Sequence, residues 1–148
     1  MSEDFEALRD ASDEWLLQRG RRPIAHVIGV GAVVEHIDRL NFLKNYLAAG
    51  GIATTEENID VGNGSVKFSK SGSDIAVICS TDAIYESETE LIVRSLNDLG
   101  AGVIALVGEP GESEGALRKA GVNYFFFPDD DILAKLNAVH ESIGIIRP

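Results

Sequence analysis

Cysteine is almost absent from this sequence. Among 148 residues there is one, Cys79, so no disulfide framework can staple the chain and no thiolate cluster can hold a metal. Basic residues are scarce as well: 13 Lys and Arg stand against 24 Asp and Glu, a formal net charge of −11. Such a surface repels phosphate backbones and anionic lipid, which argues against nucleic-acid and membrane partners. No apolar run approaches the roughly 20 residues that span a bilayer. The opening Met1-Ser2-Glu3-Asp4 lacks the basic start and apolar middle of a secretory signal, so the cytoplasm is the expected compartment. Low-complexity tracts and repeats of solenoid period are also missing. What remains is ample for a core. Hydrophobic residues make up 45% of the chain, and a chain this long hides roughly 70% of its unfolded surface.

Residues 3–19 read as an amphipathic helix with Phe5, Leu8, Ala11, Trp15 and Leu16 on one stripe. Either it is an ordinary packing helix or it is a lead-in that packs on something outside the chain. Gly20 offers a left-handed stop, and Arg21-Arg22-Pro23 is a short basic linker. Two segments follow from this: a lead-in over 1–22 and a domain over 23–148.

From residue 24 strands and helices alternate. Strands are expected at Ile24–Val30, Ile52–Thr55, Ile75–Cys79, Val103–Val107 and Val122–Phe127. Helices are expected at Val33–Ala49, weakly at Val66–Ser71, and at Tyr85–Leu99, Ser113–Ala120 and Ile132–Ile143. The spacing puts Val33, Ile37, Leu40, Leu43 (or Lys44) and Leu47 on the inward face of the first of these helices. It puts Leu91, Ile92, Leu96 and Leu99 inward on the third. Asn58–Gly64 reads as a polar turn. The class is α/β: a flavodoxin-like, Rossmann-like doubly wound sheet of five parallel strands, order 2-1-3-4-5, with an extra N-terminal helix. Ligands in such folds bind beyond the C-terminal strand ends.

Those loops carry weak signals. Gly29-Val30-Gly31 half-matches a dinucleotide fingerprint, with Val34 where the third glycine belongs and Glu56 or Glu57 as ribose acid. A nucleotide-binding enzyme is therefore one reading. A flavodoxin-type phosphate loop needs hydroxyl side chains that are missing here. A phosphate-accepting receiver needs a carboxylate and an amine where Gly31 and Phe127 stand. His36 and Arg39 share one face near a helix start, and His36 reads as a ligand or as an exposed or capping residue. Ser80, Thr81 and Asp82 are capping types before a helix. A nucleophilic role for Cys79 or Ser80 would require a base, and His36 is the one candidate. Asp129, Asp130 and Asp131 read as capping the last helix.

Taken in order, these loops resemble the cobalamin-binding domain family, in particular the C-terminal domain of methylmalonyl-CoA mutase. Its cobalamin-binding members carry Asp-x-His-x-x-Gly after the first strand, Ser-x-Leu after the third and Gly-Gly after the fourth. There the His ligates cobalt, and the Ser and Gly residues make room for the nucleotide tail. Here Val34-Glu35-His36-Ile37-Asp38-Arg39 falls on the first motif, with Val34 for the Asp and Arg39 for the Gly. Ser80-Thr81-Asp82 falls on the second, with Asp82 for the Leu, and Val107-Gly108 keeps one glycine of the third. Phe127 stands near a further family glycine. Val34 cannot accept a proton from a ligating imidazole, Arg39 and Phe127 add bulk where the tail passes, and Asp82 brings a carboxylate to an apolar wall.

The chain looks most like the small (β) subunit of the heterodimeric mutase, a subunit that binds no cofactor. The likeness rests on His36-x-x-Arg39-x-x-Phe42-x-x-Asn45, on Ala49-Gly50-Gly51-Ile52 and on Cys79-Ser80-Thr81-Asp82-Ala83-Ile84-Tyr85. Phe5–Asp13 is similar to the segment that joins that subunit's barrel to its C-terminal domain. The resemblance implies a structural, heterodimer-supporting domain with no catalytic residue, partnered by the catalytic large subunit. The full complex would interconvert methylmalonyl-CoA and succinyl-CoA with adenosylcobalamin. His36, Arg39, Ser80, Asp82 and Gly108 would be degenerate positions of the cobalamin site, with His36, Arg39, Asp82 and Tyr85 filling the space. The alternative is a working cobalamin domain with His36 as lower cobalt ligand and Ser80 and Gly108 lining the tail site.

Overall fold

The structure is a computed structural model that describes residues 3–70 and 72–145. Met1 and Ser2, which open the expected lead-in, lie outside the described residues, as do Ser71 and residues 146–148. The elements run α1 (Glu3–Arg19), β1 (Ile24–Val30), α2 (Val33–Ala49), β2 (Ala53–Ile59), β3 (Ile75–Cys79), α3 (Asp82–Asp98), β4 (Ile104–Val107), α4 (Glu114–Ala120), β5 (Tyr124–Phe126) and α5 (Ile132–Ser142). The five strands form one parallel sheet, order β2-β1-β3-β4-β5.

The sheet is covered on both faces, as all-parallel sheets must be. Along β3 the side chains alternate: Ile75, Val77 and Cys79 join Leu43, Leu47, Leu136 and Val139 of α2 and α5. Ala76 and Ile78 join Tyr85, Ile92 and Leu96 of α3 on the other face. This explains why β3 and β4 read as unbroken apolar runs and β1 as one interrupted only by His26. The N-terminal helix packs on the same body. Leu8 is fully buried in the α2–α5 layer, and Ser12 donates to the Gly51 carbonyl at 2.6 Å. Arg21 pairs with Asp74 at 2.8 Å, and Asp74 also accepts from the Ile24 amide.

Several expectations are corrected. The buried side of α2 is His36, Leu43, Tyr46 and Leu47, while Val33 and Ile37 are exposed. Aromatic Tyr46 and Phe42 draw the helix round, packing with Phe126 of β5. On α3 the inward set is Tyr85, Glu88, Thr89, Ile92, Val93 and Leu96, and Leu91 and Leu99 are exposed. That helix starts three residues earlier than expected because Thr81 caps it, accepting from the Ile84 amide. The strand β2 runs on to Ile59, into the expected polar turn. It is an edge strand, paired on one side only, so Glu56 and Asn58 reach solvent without harm. Strands β4 and β5 are shorter than expected, and a 3₁₀ turn at Gly111–Ser113 precedes α4.

No helix forms over Val66–Lys70. Residues 60–70 and 72–74 instead cross the α3 side as irregular chain. Phe68 is buried beneath them. Glu57 accepts from the Lys67 amide at 2.7 Å and meets His26 Nε2 at 2.5 Å. Glu88 accepts from the Gly62 amide, and Ser95 donates to the Gly64 carbonyl. These bonds replace the ladder that a helix would have supplied.

Candidate functional site at the strand ends

The C-terminal ends of β1, β3 and β4 are stitched together by side chains. Ser80, fully buried, donates from Oγ to the Val30 carbonyl at 2.6 Å. The Tyr85 hydroxyl accepts from the Ser80 amide at 2.9 Å and donates to the Val107 carbonyl at 2.6 Å. One serine and one tyrosine thus bridge three strands just where a doubly wound fold leaves its crevice. Burial pushes the Tyr85 phenol far above its ordinary range, and nearby Arg39 only partly offsets this.

Arg39 closes the cluster from the side of α2. It donates to the Ser80 carbonyl at 2.7 Å and to Asp82 Oδ1 at 2.8 Å. Its guanidinium carbon lies 5.7 Å from the centre of the Tyr85 ring. Burial works against its charge, but Asp82 and Tyr85 together outweigh that and raise its pKa. The group also lies against Gly108: a β-carbon there would sit 3.2 Å from the guanidinium carbon. Gly108 has φ +135°, a conformation that side chains rarely adopt.

Two hollows flank this arginine. One, about 270 Å³, lies on the α2 side and is lined by Arg39, Phe42, Gly108, Phe126 and Phe127. The other, about 170 Å³, lies between α3 and α4 beside Asp82, Tyr85, Pro110 and Leu117. A wider groove, about 660 Å³, is at the opposite end of the sheet among Arg9, Asp13, Arg22 and Gly51. Arg22 is paired there with Asp13 at 2.8 Å, and the groove is the seam along α1 rather than a strand-end crevice.

Of the sequence-picked residues, Arg39, Ser80, Asp82 and Gly108 come together with Tyr85, and His36 stands apart. It is neither exposed nor a cap: it is 2% exposed, and its Nδ1 has no hydrogen-bond partner. Its ring lies over Gly29 in β1, where a β-carbon would come within 2.8 Å of His36 Nε2 and 2.4 Å of Asn58 Oδ1. That close approach is what Gly29 is for. A cavity of about 210 Å³ beside it is lined by Val27, Val33, Leu40 and Glu56.

The nucleotide reading finds no cradle. The Gly31 amide donates to the Ile59 carbonyl and the Gly108 amide to the Phe126 carbonyl, so neither is free for a phosphate. Glu56 is paired with Lys44 at 2.7 Å. Cys79 is fully buried with its thiol pushed up to about 12, chiefly by burial; a nucleophile needs the reverse.

Two features had no clear sequence signal. Asp130 is not a cap; only Asp131 accepts from the Ala134 amide. The Asp130 carboxylate is 2% exposed and takes bonds from Tyr46, Lys135 and the Phe127 amide. The other is Asn58, which donates to the Gly31 carbonyl at 2.8 Å and so braces the first loop. Neither the middle of an Asp triplet nor an Asn in an acidic strand marks itself out. Among the described residues no group of three His, Cys, Asp or Glu is placed to hold a metal, and no helix is long and apolar enough to cross a membrane.

Fold and strand-end geometry define a flavodoxin-like α/β domain. A solved receiver domain of HemR from Leptospira biflexa shares that fold, with TM-score 0.51 at 16% identity over 86% of this chain and 98% of its own. No protein-family model matches the sequence. Curated relatives do. The probable methylmalonyl-CoA mutase small subunits of Mycobacterium bovis and Mycobacterium tuberculosis are 37% identical over 137 residues, 91% of this chain. The methylmalonyl-CoA mutase small subunit of Streptomyces virginiae is 29% identical over 145 residues, 97% of this chain. The chain is homologous to the C-terminal region of such small subunits. It spans about a fifth of their length, 21% and 22% respectively.

Proposed function

We propose that this domain is a cobalamin-free, structural part of a methylmalonyl-CoA mutase, supporting a heterodimer with the catalytic large subunit in the cytoplasm. The complex would interconvert methylmalonyl-CoA and succinyl-CoA, with adenosylcobalamin held elsewhere in it. The observation that carries this reading is Arg39. Its guanidinium fills the space over Gly108 and is tied to Ser80 and Asp82, where the family's cofactor tail would pass. The residues present do not fit cobalamin. A ligating His36 would have to leave its buried place over Gly29, and its Nδ1 faces no carboxylate that could orient it. The same facts weigh against the alternative in which His36 ligates cobalt.

Titration with hydroxocobalamin and adenosylcobalamin tests the reading. The expected result is an unchanged corrin spectrum at large excess of protein. A tight complex with a histidine-bound cobalt spectrum, lost in His36→Ala, would overturn it.

A further inference from the structure

The hollow of about 270 Å³ on the α2 side of Arg39 lies at the C-terminal ends of β4 and β5, where doubly wound folds hold their ligands. Its walls are aromatic. Phe42 comes from α2, Phe126 from the end of β5, and Phe127 from the loop that follows. The volume falls just under the roughly 300–1,000 Å³ of ordinary ligand pockets, which suits one ring or a short alkyl chain.

The rim is acidic. Asp38, Glu109 and Asp129 line the hollow and are exposed. None of these three carboxylates bonds or pairs with another described residue. The nearby cations are already engaged: Arg39 lies 2.8 Å from Asp82, and Lys135 lies 2.9 Å from Asp130. With those pairs neutralised, the three free carboxylates set the sign of the field. The Phe127 ring already carries a cation in this fold, since Lys135 Nζ is 4.5 Å from its centre. Aromatic walls beneath free carboxylates attract a cation with an apolar body, through the ring quadrupoles and the charges together. An anion is repelled, and a neutral ligand gains from the walls alone. The smaller hollow between α3 and α4 lacks this combination. Arg118 already lies over its Phe125 ring at 5.1 Å, and its Asp82 is tied to Arg39.

We propose that the aromatic hollow binds a small organic cation of the arylalkylammonium class. Its apolar body lies against Phe42, Phe126 and Phe127, and its ammonium group lies among Asp38, Glu109 and Asp129. The site belongs to this chain alone and does not depend on the small-subunit reading, which the cobalamin titration tests separately.

Titration of the chain with phenethylammonium, followed by calorimetry and by backbone amide NMR shifts, tests the proposal. The expected result is saturable binding, with shifts concentrated at Gly108, Glu109, Phe127 and Asp129. The neutral phenethyl alcohol should bind at least about fivefold more weakly, and hydrocinnamate should not bind. Phe127→Leu should weaken the ammonium ligand severalfold. Neutralising the rim with Asp38→Asn, Glu109→Gln and Asp129→Asn together should weaken it about tenfold. A control with the same change in net charge at exposed positions elsewhere, Glu3→Gln, Asp4→Asn and Asp98→Asn, should leave binding unchanged. Equal affinity for the ammonium and the alcohol, equal loss in the two triple variants, or no saturable binding at millimolar ligand overturns the proposal.

Discussion

The guanidinium of Arg39 donates to the carbonyl oxygen of Ser80 across 2.7 Å, tying α2 to the end of β3. The Asp82 carboxylate that shares the arginine is 73% exposed, so that pair contributes at most about 1 kcal/mol. The bond to the Ser80 carbonyl contributes about 1 kcal/mol more. Arg39→Ala is therefore expected to lose about 1–2 kcal/mol in urea unfolding, and Asp82→Asn less than about 1 kcal/mol.

Reinstating the family's residues should reopen the strand ends. The triple change Val34→Asp, Arg39→Gly, Asp82→Leu restores the motif residues, removes the side chain over Gly108 and, if the start of α2 unwinds, frees His36 to meet the new carboxylate. The expected outcome is a hydroxocobalamin complex visible by absorbance, abolished when His36→Ala is added.

Gly29 is a close-approach position. A methyl group there meets Asn58 Oδ1 at 2.4 Å and His36 Nε2 at 2.8 Å, closer than side chains tolerate. Gly29→Ala should cost about 1–3 kcal/mol, as overpacking does. Adding Asn58→Ala removes the nearer clash, and the double variant should recover part of that loss in thermal unfolding.

Alkali should destabilise the domain through its buried acids. The Cys79 thiol rises from 9.0 to about 12 by burial, and burial also pushes up the phenols of Tyr46 and Tyr85. A group held protonated in the fold but free to ionise when unfolded contributes its stability below its unfolded pKa and loses it as pH rises toward the folded value. Stability should fall from about pH 9 to 12, less steeply in Cys79→Ala. Thiol reagents should label Cys79 only after unfolding.

Asp130 holds three donors in a nearly dry place. Removing one partner of a buried pair costs more than the pair contributes. Asp130→Ala should lose about 3 kcal/mol, most of it from stranding the Lys135 ammonium and the Tyr46 hydroxyl. Asp129→Ala and the wild type should be indistinguishable in the same unfolding assay.

The strand order and the strand and helix types were legible because β1, β3 and β4 are apolar on both sides and glycines punctuate the helices. The helix faces were less so: on α2, period alone chose Val33 and Ile37, whereas aromatic packing at Tyr46 turned the helix toward His36. The segment 66–70 reads as a weak helix because what holds it, the Glu57 carboxylate on the Lys67 amide and the burial of Phe68, comes from far along the chain. At the site, the motif positions Arg39, Ser80, Asp82 and Gly108 were visible in order. That Arg39 reaches Ser80, and that His36 lies buried over Gly29, depends on side-chain direction across strands, which no spacing encodes.

The irregular crossing at residues 60–70 makes the two faces of the sheet unequal in how they come apart. Backbone amides under α2 and α5, covered by the larger apolar layer, should exchange with solvent only when whole helices lift. Over β1 and β2 on the other face, a handful of side-chain bonds and Phe68 do the covering, and local opening needs far less free energy than global unfolding. Deuterium should enter this side first, and a protease should nick the chain near Val61–Gly64 while the rest of the domain stays closed.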